Sequence, residues 1–159
     1  MMIIALLLMM VGRASAENVT FNVRSWNDAN KQVTTTTETK DCSVLQGSHA
    51  GEWVGLTEGY YVARGDVEYK VLNIMSGTVH LVLEDGATLK CKHLKLEAGR
   101  KLHIYSQSDG DGIAIIGKGA GSNTCGTVTI DGVANATTTS TFTNLNSTVD
   151  GNTWTLTHK

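Results

Sequence analysis

Few residues in this chain stand where chemistry would need them. Asp109-Gly110-Asp111-Gly112 has the outline of a calcium loop, but the further alternating acidic ligands of such a loop are missing. Asp and Gly together favour tight turns, so residues 109–112 are expected to turn the chain, as is Glu84-Asp85-Gly86. Gly117-Lys118-Gly119-Ala120-Gly121 is glycine-rich, yet its glycine spacing and the lack of a Lys-Ser/Thr ending separate it from a phosphate-binding loop. The five histidines form no H-E-x-x-H arrangement, and no Ser or Cys nucleophile is coupled to a base. Three cysteines, Cys42, Cys91 and Cys125, cannot all pair within one chain, and none lies at C-x-x-C spacing. Cys91 closes an apolar run and is expected to be a buried free thiol. No catalytic group, metal or cofactor site is expected, and the chain does not read as an enzyme.

Two surface features carry more interest. His80 and His103 each sit between apolar residues of a period-two run, so both should point outward on adjacent turns, with Thr129 in the matching place on a third. A solvated ladder is the plainer reading of that pair, and a metal pair the sharper one. Lys90, Lys92, Lys95, Arg100 and Lys101 place five of the 13 basic residues within twelve positions, with Glu97 the only acid among them. Such a stripe either discourages edge-to-edge association or meets an acidic polysaccharide.

These residues are positioned by short repeated strands. Val79, Leu81 and Leu83 alternate with His80 and Val82 just after Gly77, and Leu102 and Ile104 alternate with His103 and Tyr105 just after Gly99. The step from position 79 to position 102 is 23, and the pattern returns at Val128 and Ile130 after Gly126, a step of 26 from position 102. A second column runs in parallel through Leu72 and Ile74, Leu94 and Leu96, and then Ile113 and Ile115. Repeats of this length that hold only short strands predict a solenoid, in which one coil buries its apolar side only against the next. About three coils over residues 56–134 are expected. Residues 17–55, polar and weakly patterned with Phe21, Trp26 and Trp53 as scattered anchors, then form an N-terminal cap. The tail at 135–159, with Phe142, Trp154 and Leu156, forms the C-terminal one.

Composition agrees with an all-β chain of one domain. There are 159 residues, 17 of them glycine and none proline, and proline would break strand ladders. A net charge of −2 argues against a nucleic-acid-binding protein, which would be clearly basic. Residues 3–11 are an unbroken apolar run, too short to span a bilayer. That run leads to Ala14-Ser15-Ala16, small residues of the kind a signal peptidase reads. Residues 1–16 are therefore expected to be a signal peptide, the mature chain to begin at Glu17, and the protein to be secreted or held at the cell surface. No second apolar stretch offers membrane insertion. Asn18, Asn135 and Asn146 head formal glycosylation sequons that a Thr- and Asn-rich chain produces by chance.

The run G-Y-Y-V-A-R-G-D-V-E-Y-K (59–70), then S-G-T-V-H-L-V-L-E-D-G-A-T-L (76–89) and L-H-I-Y-S-Q-S-D-G-D-G (102–112), resembles secreted repeat proteins of gut bacteria. In that group a G-W-Y-V-V segment precedes V-H-L-x-L-x-D-G-A-T-L and L-x-I-Y-x-Q-S, and glycine-rich A-I-G-G-G-K and G-T-I-T-I-N-G-G repeats follow. Residues 114–119 and 126–132 look like single degenerate copies of those repeats. The resemblance implies export and a right-handed parallel β-helix, distantly similar to polysaccharide-binding β-helix proteins. It brings no catalytic residues with it. The function expected is a non-catalytic, glycan-binding or adhesive module at a bacterial surface. The alternatives are a purely structural fragment or cap of a larger repeat surface protein, and a divergent polysaccharide lyase.

Overall fold

Alternating apolar and polar residues, rich in Val, Thr and Ile, favour a pleated strand half buried on one face. The computed structural model describes residues 16–27, 29–117, 126–133, 137–138, 145–150 and 153–158. The apolar run at 3–11, most of the glycine-rich loop, Cys125, Asn135 and Phe142 lie outside the described residues, and Trp154 and Leu156 are described by strand pairing alone. Eleven strands appear among the described residues: β1 (Glu17–Asn27), β2 (Gln32–Leu56), β3 (Gly59–Ile74), β4 (Thr78–Leu83), β5 (Thr88–Leu96), β6 (Lys101–Ser106), β7 (Ile113–Ile116), β8 (Thr127–Asp131), β9 (Thr137–Thr138), β10 (Leu145–Asp150) and β11 (Thr153–His158). Helix is absent from the described residues, so none there is long and apolar enough to cross a membrane.

The strands stack as a β-solenoid of about four turns. One parallel ladder runs from the Ser43–Gln46 part of β2 through β3, β4 and β6 to β8. A second runs from the end of β2 through the later part of β3, then β5 and β7, to β9. The repeat offsets appear directly as register: Val79 pairs with Leu102 and then Val128, and Leu81 with Ile104 and then Ile130. Their side chains fill the interior with almost no exposure, together with Leu72, Leu94, Ile74 and Leu96 of the second ladder. Between coils the backbone turns at glycines such as Gly77 and Gly99, whose φ values of 54° and 79° suit no branched side chain.

The coils begin earlier than the repeat alone indicates. Val44, Leu45, Val54 and Leu56 of β2 pair in register with Val62, Ala63, Leu72 and Ile74 of β3. The register shifts between Gln46 and Ser48, and again between His49 and Trp53. Those irregularities hide the first coil from a period search, and they account for four turns where the sequence indicates three.

The second column also differs at its third step. Ala114 and Ile116 are the buried residues of β7, stacked on Leu89 and Cys91, while Ile113 and Ile115 lie outward beside Thr88 and Lys90. Apolar residues occupy both parities of Ile113-Ala114-Ile115-Ile116, so the pattern there cannot choose a face, and a one-residue shift exchanges the two. The choice is made by register, with Ile113 N–H donating to the Ala87 carbonyl at 2.8 Å and Gly117 N–H to that of Cys91 at 2.8 Å.

Residues 17–42 form an antiparallel hairpin, from Glu17 opposite Cys42 to Asn27 opposite Gln32. This hairpin lies on the outer face of the first ladder. Val19, Phe21 and Cys42 pack on Val44, Val62 and Val82 in a second, smaller core. The outer face of the ladder is therefore only partly polar, because Val62 and Val82 are covered by the hairpin. At the other end β11 pairs antiparallel with β8, and β10 with β11. A hairpin thus occupies the last edge of the first ladder, which an open solenoid would leave unpaired.

Candidate functional surfaces

Parallel in-register stacking turns identical parities into rows. Tyr60, His80, His103 and Thr129 form one such row on the outer face. The Tyr60 and His80 rings stack with centroids 4.4 Å apart at 12°, and His80 stacks on His103 at 5.4 Å and 15°. In the neighbouring row Tyr105 reaches back to His80, where Tyr105 Oη and His80 Nδ1 share a hydrogen bond of 3.0 Å. Lys40 of the hairpin stands 5.6 Å from the centre of the Tyr60 ring. Both histidines point out of the coil, as the alternation predicts, but both are half-buried rather than solvated. Burial holds His80 below the ordinary histidine value, with Lys40 adding to the effect and Glu38 and Glu58 opposing it. Burial does the same to His103, helped by His80 and Lys101. Burial and its neighbours Tyr60, Asp131 and Glu38 push Tyr105 up to about 12. Stacked faces shield one another, so this row offers ring edges rather than a flat platform. Among the described residues no group of three or more His, Cys, Asp and Glu could hold a metal ion.

The basic residues fall on β5, on β6 and in the turn between them. Lys90 and Lys92 are exposed on β5, where register puts Lys90 between Glu68 and Ile115. Lys101 is exposed on β6, in the other ladder. Lys95 lies 3.7 Å from Glu97. Arg100 is committed to the fold: its Nη1 donates to the Ile74 carbonyl at 2.6 Å, and its Nη2 lies 2.5 Å from Glu97. A row of five like charges therefore does not form, since two of them meet Glu97 and a third has Glu68 beside it.

The turn residues are turns. Asp85 takes the N–H groups of Ser108 and Asp109, each at 3.0 Å, together with the Ser108 hydroxyl. Burial alone would raise the Asp85 carboxyl, but these bonds and one from Gly110 outweigh it and lower it. Asp111 accepts the Gly86 N–H at 2.7 Å, so successive coil turns bind each other. Cys91 is a buried free thiol, as its position in the sequence indicates, and Cys42 is another.

A different face carries an exposed tryptophan. Trp53 is 59% exposed, and register sets it in a row with Val71 and His93. The adjacent row on the same face is Gly55, Asn73 and Lys95. Met75, 51% exposed, lies over Gly55, where a Cβ would collide with the thioether. An exposed indole on the same face as an exposed methionine and the part-exposed Asn73, His93 and Lys95 makes a small amphipathic surface. Trp53, expected from the sequence as an anchor, is exposed instead. The alternation of Trp53 and Gly55 with Val54 and Leu56 was the signal that could have placed it outside.

No family model matches the chain, and no curated protein or solved structure matches it either.

Proposed function

We propose that this protein is an exported, non-catalytic β-solenoid module that binds glycan at a bacterial surface, through the face that carries Trp53. The exposed indole is the observation that carries the reading. Water-exposed tryptophan is costly to keep without a partner, and its flat apolar surface suits the C–H face of a pyranose ring while its rim leaves hydroxyls free. Successive coils on this face are spaced by about 4.8 Å, so a sugar chain laid along the axis meets Trp53, then the level of Asn73, where Val71 is buried, then His93 and Lys95. Lys95, in the row with Gly55 and Asn73, favours carboxylated or sulfated chains. The export half of the reading rests on residues 3–16 of the sequence and on the resemblance to secreted repeat proteins.

Binding of the mature chain to immobilised neutral β-glucan, polygalacturonate and a sulfated galactan tests the proposal directly. Retention of at least one of them is expected, with Trp53→Ala weakening it at least tenfold and leaving the unfolding temperature in place. Silence towards all three at low ionic strength would sink the glycan reading and favour a purely structural piece of a larger surface protein.

A further inference from the structure

β1 runs across the coils rather than along them. Its first residue, Glu17, pairs with Arg64 on β3, and Arg64 also holds Glu84 at the end of the next coil. Phe21 packs on Tyr105 at 5.0 Å and on Tyr60 at 6.2 Å. Asn22 N–H donates to the Gln107 carbonyl at 3.1 Å, and its Nδ2 to the Ser108 carbonyl at 3.1 Å. Arg24 N–H donates to Asp131 Oδ2 at 2.8 Å, one coil further on. At about 3.3 Å per residue the stretch from Glu17 to Arg24 covers roughly 23 Å, enough to cross three coil steps at a slant. β1 is a strap laid over four successive levels of the first ladder.

The middle of that strap rests on the histidine row. Phe21 sits on Tyr60 and Tyr105, and those two rings flank His80, one by stacking and the other by the shared hydrogen bond. Charged and titratable groups surround the pair from every side: Glu38 and Lys40 on β2, Glu58 before β3, Tyr60 on β3, Lys101 and Tyr105 on β6, and Asp131 on β8. Glu38 is itself paired with Lys40 at 3.3 Å. Three carboxylates, one of them accepting the Arg24 N–H, stand against two ammonium groups near the histidines, so protons on both rings would put two positive charges 5.4 Å apart against a surplus of a single negative charge.

From this geometry we propose that the β1–β2 hairpin is an acid-sensitive strap, closed while the stacked His80 and His103 are neutral and loosened when both take up protons. Protonated His80 carries a hydrogen on Nδ1, so the bond with Tyr105 survives only with the histidine as donor, and ring–ring stacking turns into cation–cation repulsion. The coils have no part in this change. Leu81, Leu83, Leu102 and Ile104 are fully buried and apolar, so the solenoid remains while the strap lifts. Carboxylates in general titrate near pH 4, so a window from pH 7.5 to 5 isolates the histidines.

Hydrogen exchange of the mature full chain at pH 7.5 and 5.0, corrected for intrinsic rates, tests the strap. β1 amides should lose protection at least tenfold at pH 5.0 while β4 and β6 keep theirs. His80→Gln with His103→Gln should remove that difference. Equal β1 protection at the two pH values in the wild type would overturn the proposal. So would a difference that persists in the double variant, which would assign it to carboxylates. If the double variant folds poorly, NMR titration of the wild-type histidine rings decides instead: midpoints at or above that of free histidine for both rings would overturn the proposal, and midpoints below it would support it.

Discussion

Arg64 on β3 grips Glu84 of the following coil through Nε, at 3.1 and 3.0 Å, and the same guanidinium reaches Glu17 of the hairpin. Three separate pieces of chain meet at this one side chain, and the two hydrogen-bonded carboxylates raise its pKa further. The group is nonetheless 40% exposed, and exposed ion pairs each contribute only about 0–1 kcal/mol. Arg64→Met should therefore lower unfolding stability by about 1 kcal/mol in chemical denaturation. A loss several times larger would show that the cluster works as more than a screened surface bridge.

Leu81 and His80 are neighbours with opposite fates. Leu81 is fully buried between Tyr61 and Ile104, whereas His80 faces out into the ring stack. Leu81→Ala should cost about 2–5 kcal/mol, and Leu81→Asp should prevent folding by leaving a charge in a dry ladder. His80→Gln, which loses one part-buried hydrogen bond, should cost about 0.5–1.5 kcal/mol. Thermal unfolding of the three variants checks the order, and similar costs at the two positions would refute the face assignment.

Acid should weaken the fold before carboxylates titrate. His80 and His103 are both held below the usual histidine value, chiefly by burial. An unfolded chain then binds more protons than the folded one once pH drops below about 6.5, so stability falls as pH falls. It is full above that point, declines through it towards the lower folded values, and levels off below them as far as these two groups are concerned. Urea midpoints measured from pH 8 to 5 should follow this course in the wild type and flatten in the region of pH 6.5 when both histidines are glutamine.

Thiol chemistry offers a compact check on burial. Cys42 and Cys91 are both buried, and desolvation pushes each thiol up to about 11. Neither forms thiolate at neutral pH to any useful extent. Maleimide labelling of the native chain at pH 7.5 should modify at most one of its three cysteines, and all three in urea. Rapid native labelling of Cys42 would show that the hairpin opens readily even without acid.

Charge should modulate any glycan bound at Trp53. Lys95→Gln removes the basic side chain in the row next to Trp53, so binding of an acidic chain should weaken and lose much of its salt dependence. Lys101→Gln, in the other ladder, should leave affinity unchanged. Equal losses from the two substitutions would place the ligand elsewhere.

Much of the architecture is legible in the residues themselves. Period-two alternation fixes which side of a strand is wet, and recurrence at 23 and 26 positions fixes which residues stack, because in-register coils place equal parities on one line. That is why Leu81 on Ile104, His80 on His103 and the buried Cys91 can all be read from sequence. Reading stops where the pattern loses information. Ile113-Ala114-Ile115-Ile116 is apolar on both parities, and the bulges at 46–53 break the period of the first coil, so only hydrogen-bond register decides those faces. The hairpin is hidden for a further reason. Its polar, Thr-rich strands need only Val19, Phe21 and Cys42 to dock, and nothing local says that they dock on Val62 and Val82 of distant coils. The basic stripe shows the same limit, because adjacency in sequence cannot say that Arg100 turns inward to a carbonyl while Lys101 faces water. Strand parity and repeat length are local properties of the chain, and they determined the solenoid. Which faces are covered, which charges are matched and the exposure of Trp53 are decided by contacts between distant residues, and only the tertiary structure supplies those.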